Sequence, residues 1–172
     1  MIMNNQYTHV THTFKAVFDK ESKILILGSV PSVKSREQGF FYMHPQNRFW
    51  KVLSVVFNDE DFLNKDIEIK KQALLKHKVS LYDVVESCDI IGSSDVSIKN
   101  VEYAYDVINA ILNSGKIEKI ILNGAKAAKL FDNSKSGYNI SDNVQILKMP
   151  STSPANAAYS IDKLTANWIK IL

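Results

Sequence analysis

Residues 23–53, KILILGSVPSVKSREQGFFYMHPQNRFWKVL, carry the reading that decides the fold. Ile24 to Leu27 are four apolar residues in a row closed by Gly28 and Pro31, the pattern of a strand covered on both faces in a parallel sheet. Further on, Phe49, Trp50, Val52, Leu53, Val56 and Phe57 recur at helical spacing, which predicts a helix that begins near Pro45 and turns that face to the core. The connection between them is far longer than the ~2–6 residues usual from strand to helix. Long loops leaving the carboxyl end of a parallel strand are where open α/β sheets bind ligands. This one carries Ser29, Ser32, Ser35, the aromatic run Phe40, Phe41 and Tyr42, then His44 and Asn47. Hydroxyl and amide groups beside stacking surfaces suit a flat heteroaromatic ligand such as a nucleobase.

Outward from this stretch the same grammar recurs. Val79 to Val85, Lys119 to Leu122 (stopped by Asn123-Gly124) and Val144 to Met149 read as three more strands. Helical stripes lie between and after them: residues 61–76 as a mostly solvated helix or helix pair, residues 100–113 with Gly115 as its C-terminal stop, the small-residue run after Gly124, and a last helix carrying Leu164, Trp168 and Leu172 behind Ser160 as cap. Residues 86–98 read as a second long loop, with Ser93, Ser94 and Asp95 in turn chemistry. Residues 1–12 are polar and expected to be loosely held, with Phe14, Ala16 and Phe18 as an edge-pairing segment. Strands alternating with helices predict an α/β fold, a three-layer α/β/α arrangement around a short parallel sheet of about four strands, in one domain spanning residues 1–172.

Composition sets outer bounds. A charged fraction of 23% and a hydrophobic fraction of 45% are ordinary for a globular chain. A net charge of +3 permits nucleic-acid binding without arguing for it, because a local basic stripe matters more than the sum. The single cysteine, Cys88, excludes an internal disulfide and any cysteine-ligated cluster, and no His/Cys or carboxylate grouping stands at metal-ligand spacing, so no metal or other cofactor is expected. No apolar run reaches the ~18 residues of a membrane span and no leader pattern opens the chain, so the expected location is cytoplasmic.

The residues themselves leave alternatives. Asn47 is either a helix cap or, if Pro45 takes the first helical position and His44 the cap, an amide facing the loop cavity and able to hold a water. His44 could serve as acid, base or phosphate contact, or as a cap or structural hydrogen bond before Pro45. Ser151, Thr152 and Ser153 between Pro150 and Pro154 form a turn or offer hydroxyl and N–H groups to a phosphate. Asp83 and Asp95 contact a base or shape their loops. Ser29, His44 and Asp83 could suggest a serine hydrolase, but the chain lacks the G-x-S-x-G elbow.

GSVPS at 28–32, GFFYMHPQNRFWKVL at 39–53 and MPSTSPANA at 149–157 resemble the uracil-DNA glycosylase superfamily, most of all its hypoxanthine-DNA (deoxyinosine) glycosylase branch, with the mismatch-specific uracil/thymine glycosylases as neighbours. The resemblance implies a monofunctional DNA glycosylase, a monomer acting on double- or single-stranded DNA, that flips out a deaminated base, hypoxanthine foremost and uracil or xanthine besides, and hydrolyses its N-glycosidic bond. No lysine is assigned as a nucleophile, so strand cleavage is not expected. Mismatch-specific relatives carry Asn, and the uracil-specific branch Asp, where this chain has Val30, which can neither orient nor deprotonate water. The catalytic role therefore passes to Asn47, with Ser29 and His44 as companions. Tyr42 takes the stacking position, with Phe40, Gly28 and Val30 around the base. Ser32, Ser151, Thr152, Ser153, Pro154, Ala155 and Asn156 fall to the DNA backbone and the wedge that fills the vacated stack. The alternatives are a non-catalytic nucleic-acid or nucleotide binder of the same fold, kept open by Val30, and a mismatch-specific glycosylase.

Overall fold

The computed structural model describes residues 6–172. Four strands form a parallel sheet in the order β3-β2-β6-β7: β2 (Ile24–Gly28), β3 (Val79–Asp83), β6 (Lys119–Asn123) and β7 (Gln145–Met149). These are the four apolar runs of the sequence. In β2 and β3 successive side chains point to opposite faces yet nearly all are buried, so both faces are covered by other layers. The helices are α1 (Val33–Gln38), α2 (Phe49–Val56), α3 (Ile67–Lys76), α4 (Tyr105–Ser114), α5 (Ala125–Ser134) and α6 (Ile161–Ile169), giving the three-layer α/β/α architecture expected. Among the described residues no helix is long and apolar enough to cross a membrane.

A second, antiparallel sheet, β1-β4-β5, was not foreseen. It joins β1 (Thr8–Thr11), β4 (Val85–Ile90) and β5 (Lys99–Tyr103). Residues 8–12 are therefore pinned rather than loose: Val10 pairs with Cys88, Thr11 with Ser87, and the His12 amide donates to the Glu86 carbonyl at 2.8 Å. Residues 1–5, the rest of that expected loose segment, lie outside the described residues. The supposed loop at 86–98 is half strand, and the helix expected over 100–113 starts only at Tyr105 because residues 99–103 pair with β4. Val17 adds the foreseen pairing segment through a bridge to Leu81.

The helix after the organising loop also starts later than expected. Residues 44–47 form a turn, α2 begins at Phe49, and Arg48 occupies the capping position, so neither His44 nor Pro45 opens the helix. The loop before it holds α1, whose first turn is capped by the Ser32 hydroxyl, which accepts from the Ser35 amide at 3.2 Å. Phe49, Val52 and Leu53 are fully buried, and the Phe49 ring meets Trp168 of α6 edge-on at 6.2 Å. Each such buried side chain contributes roughly 1.5–3 kcal/mol. Behind α2, Lys70 of α3 is buried, donates to the Phe62 carbonyl and sits 4.5 Å over the Trp50 ring.

Candidate active site

Parallel strands in register end in register, and here the ends make the floor of a cleft. Gly28 pairs with Asp83 on one side, Leu27 with Leu122 on the other, and Asn123 with Met149, so the carboxyl edge reads Asp83, Gly28, Asn123, Met149 across the sheet. All four line an open cleft of about 1260 Å³ walled by the loop after β2 and the loop after β7. Gly28 leaves the floor bare for a reason of space. A Cβ there would lie 2.3 Å from the Asp83 Oδ1 and 2.7 Å from the Tyr42 hydroxyl, so any side chain would have to displace both groups. Gly124, at φ 106, makes a second close approach, to Ser151, that also excludes a side chain.

Asn47 is fixed by two hydrogen bonds to one atom. From one residue ahead of the capping position that Arg48 holds, its Oδ1 accepts from the Phe49 amide, the first amide of α2, at 2.9 Å, and from the Thr152 hydroxyl at 3.0 Å. The Thr152 hydroxyl accepts in turn from the Asn123 Nδ2 at 3.0 Å, and the Thr152 amide donates to the Asn123 Oδ1 at 3.1 Å. This chain sets the amide orientation. The oxygen of Asn47 is occupied, and its Nδ2 makes no hydrogen bond among the described residues, free to donate into the cleft that the side chain lines. One side chain thus both satisfies the first amide of α2, from outside the capping position, and lines the cleft.

Arg48 ties the two walls together. Its amide and Nε donate to the Thr152 carbonyl at 3.1 and 3.3 Å, its two terminal nitrogens donate to Ser153 (2.6 Å), Asn156 (3.1 Å) and the Tyr159 carbonyl. A planar guanidinium with its donors in a fixed fork suits a ring of carbonyls that turn inward. Within the second wall, Ser151 and Ser153 accept backbone amides two residues on, at 3.1 and 3.2 Å, and the Asn156 amide donates to the Ser151 carbonyl at 2.9 Å.

The other expected site residues divide. Ser29, Val30, Ser32, Tyr42, His44, Ser151, Ser153, Pro154, Ala155 and Asn156 all line the cleft. Phe40 does not: it is 1% exposed and stacks on Trp50 at 5.6 Å, because three aromatics in succession cannot share a side. Thr152 lines the cleft but is fully buried, and its hydroxyl is engaged by Asn123 and Asn47, which removes it as a phosphate donor. Tyr42 sits at φ 56, a left-handed conformation that is rare for an aromatic residue, with its ring stacked 4.0 Å from Phe49 and its buried hydroxyl unpartnered over the floor. Burial, and then the Asp83 charge, push that hydroxyl's pKa up, so it is a donor at any ordinary pH.

Ser29, His44 and Asp83 form no triad. Ser29 donates to Asp95 at 3.3 Å, His44 Nδ1 accepts from the Gln46 amide at 3.2 Å, and Asp83 pairs with His12. The His12–Asp83 contact, 2.9 Å with both side chains buried, is one that sequence reading missed, as it missed Asn123 and Arg48. Asn123 had a usable signal, the final position of a strand on the ligand-binding edge. His12 had one in the alternation of Val10, His12 and Phe14. Arg48 had none, since its acceptors are backbone carbonyls about a hundred residues away.

This geometry accords with the comparisons. A profile of the Uracil DNA glycosylase superfamily matches residues 15–171. A protein named hypoxanthine DNA glycosylase from Methanosarcina acetivorans is 31% identical over 147 residues, 86% of this chain and 89% of its own length. Another of that name from Methanosarcina barkeri is 30% identical over 117 residues, covering 67% and 72%. A solution NMR structure from Methanosarcina acetivorans, provisionally described as a uracil DNA glycosylase, superposes with a TM-score of 0.73 at 26% identity, covering 95% of this chain and 96% of that one. With the profile spanning nearly the whole fold and the cleft at the carboxyl edge of its sheet, the chain belongs to the uracil DNA glycosylase superfamily.

Proposed function

We propose that this protein is a monofunctional DNA glycosylase that extrudes a deaminated base, hypoxanthine foremost, into the strand-end cleft and hydrolyses its N-glycosidic bond. The observation that carries the proposal is the Asn47 side chain, oriented through Thr152 and Asn123 so that an unpaired N–H donor faces the cleft. Val30 supplies no polar group at the wall where relatives in neighbouring branches do. In the reaction the bond between C1′ and the base nitrogen breaks with its electron pair leaving on the base, and a water oxygen bonds to C1′. One water proton passes to solvent or to the departing base. Asn47 holds the water through Nδ2, and the Tyr42 hydroxyl over the floor donates to the leaving base as negative charge builds on it.

Binding is supported by Lys126 and Lys129 of α5, which line the cleft with no acid paired to either among the described residues, as phosphate contacts need. Lys148, also at the cleft, is tied to Asp132 at 2.6 Å. Ser151 and Ser153 retain hydroxyl hydrogens for the backbone, and exposed Ala155 stands at the wedge position. An oligonucleotide with one deoxyinosine, incubated without added metal, is expected to acquire an alkali-labile site. Binding of the oligonucleotide without base release would favour the non-catalytic reading, and activity confined to mispaired thymine would favour the mismatch-specific one.

A further inference from the structure

His12 and Asp83 come from different sheets and meet behind the floor of the cleft. β1 pairing with β4 carries Val10 and then His12 inward, and β3 ends at Asp83, so an antiparallel flap delivers a ring nitrogen to the end of a parallel strand. His12 Nε2 lies 2.9 Å from Asp83 Oδ2, with side-chain exposures of 0% and 5%. The second carboxylate oxygen, Oδ1, faces the bare backbone of Gly28, as does the unpartnered Tyr42 hydroxyl. A buried carboxylate is costly unless held, and His12 holds one oxygen only. A buried hydroxyl that donates to no partner is costly as well. The fold thus keeps a carboxylate oxygen and a phenol O–H that donates to no group among the described residues close together over Gly28, on the floor where a base would rest.

Deamination changes one edge of a base in a fixed way. A ring nitrogen lone pair beside an amine becomes a ring N–H beside a carbonyl, in hypoxanthine relative to adenine and in uracil relative to cytosine. An acceptor next to a donor matches the second edge and opposes the first. We infer that Asp83, positioned by His12, accepts the ring N–H of a deaminated base while the Tyr42 hydroxyl donates to its carbonyl, so that this pair selects deaminated over parent bases. The inference rests on the glycosylase reading above. Adenine or cytosine would set a ring lone pair against the carboxylate and leave it desolvated without a proton donor.

The test is a ratio of ratios. Single-turnover release is measured from oligonucleotides carrying deoxyinosine or purine deoxyriboside, which lacks both the ring N–H and the carbonyl, for the parent and for Asp83→Asn. In the variant an amide replaces the carboxylate; with its oxygen taken by His12, an N–H is presented to the base. The parent's preference for deoxyinosine is expected to shrink roughly tenfold or more, the scale of discrimination by a good bidentate contact. His12→Phe should shrink it less, and His12→Gln, which keeps a donor toward Asp83, should restore part of it. Equal slowing on both substrates would mean Asp83 merely shapes the floor and would overturn the inference, as would an Asp83→Asn preference equal to the parent's. Should Asp83→Asn not fold, the parent decides alone: release of purine as efficient as that of hypoxanthine overturns the inference. A parent that releases no deaminated base at all removes the glycosylase reading first and this one with it.

Discussion

The two walls of the cleft are built by opposite means. The wall after β2 is stiffened from within: its own short helix, the stack of Phe40 on Trp50, and Tyr42 on Phe49 anchor it in the core. The wall after β7 buries only Thr152 of residues 151–156 and takes its shape from side chains that belong elsewhere, Arg48 and Asn123. One wall packs and the other is held. The difference teaches that residues 47 and 48 act on both sides of the cleft, so a change there should reach a loop about a hundred residues away.

Asn47→Ala tests this most severely. Loss of the Nδ2 donor should slow single-turnover base release about 100-fold or more, the scale of a transition-state hydrogen bond. Loss of the bond to the first α2 amide should lower unfolding free energy by ~0.5–2 kcal/mol, the scale of a lost helix-end contact. Asn47→Asp keeps both acceptor contacts, so it should remain stable while losing the donor; a parental rate for Asn47→Ala would remove Asn47 from the chemistry. Arg48→Ala comes next. Its carbonyl partners lose their donors together, and about 2 kcal/mol of stability should go, with amide exchange in residues 151–159 rising while residues 33–43 stay protected. Equal rises in both walls would break the comparison.

Tyr42→Phe sharpens it from the packed side. Removing an unpartnered buried hydroxyl should raise stability by about 1 kcal/mol and lower the rate on deoxyinosine, a trade visible in one melting curve and one progress curve. A variant that is both less stable and fully active would show the hydroxyl to be satisfied in solution. The smallest effect lies behind the packed wall. Burial lowers Lys70 to about 8, below its unfolded value of about 10.4. Between those two values the unfolded chain binds a proton that the folded chain does not, so stability contributed at this site rises with pH across that window. The melting-temperature difference between the parent and Lys70→Met should therefore shift in the parent's favour from pH 8 to pH 10 and be flat below pH 7.

Legibility in the sequence followed the same division. The central strands β2 and β6 were readable because strands buried on both faces are continuous apolar runs, and the edge strands β3 and β7 through shorter apolar segments. The flap was not: β4, VESCDI, interrupts its buried residues with the half-buried Glu86 and Asp89 and so looks like polar loop, and β1 is a four-residue strand whose partner lies some eighty positions on. In the packed wall, aromatic density and helical spacing announced the cleft, although they misplaced the start of α2 and assigned Phe40 to the wrong side. In the held wall, composition suggested phosphate contacts, yet the Thr152 hydroxyl turned inward. Side-chain grammar is local, whereas the acceptors that orient Thr152 and Arg48 are backbone and amide groups distant in sequence.

The bare glycine between Asp83 and Asn123 also acts as a gauge. Adjacent strands stand ~4.8 Å apart, so two strand spacings put the flanking residues about 10 Å apart at their backbones. That separation is set by hydrogen-bonded pleats, among the least compliant parts of any protein, and not by loops that breathe. On the glycosylase reading proposed above, a flat ring laid across it would meet a span that barely varies with temperature or with mutation of the walls. Changing which ring is accepted would then mean exchanging the side chains that stand over the span, Asp83 and Tyr42, since its width is fixed by the sheet.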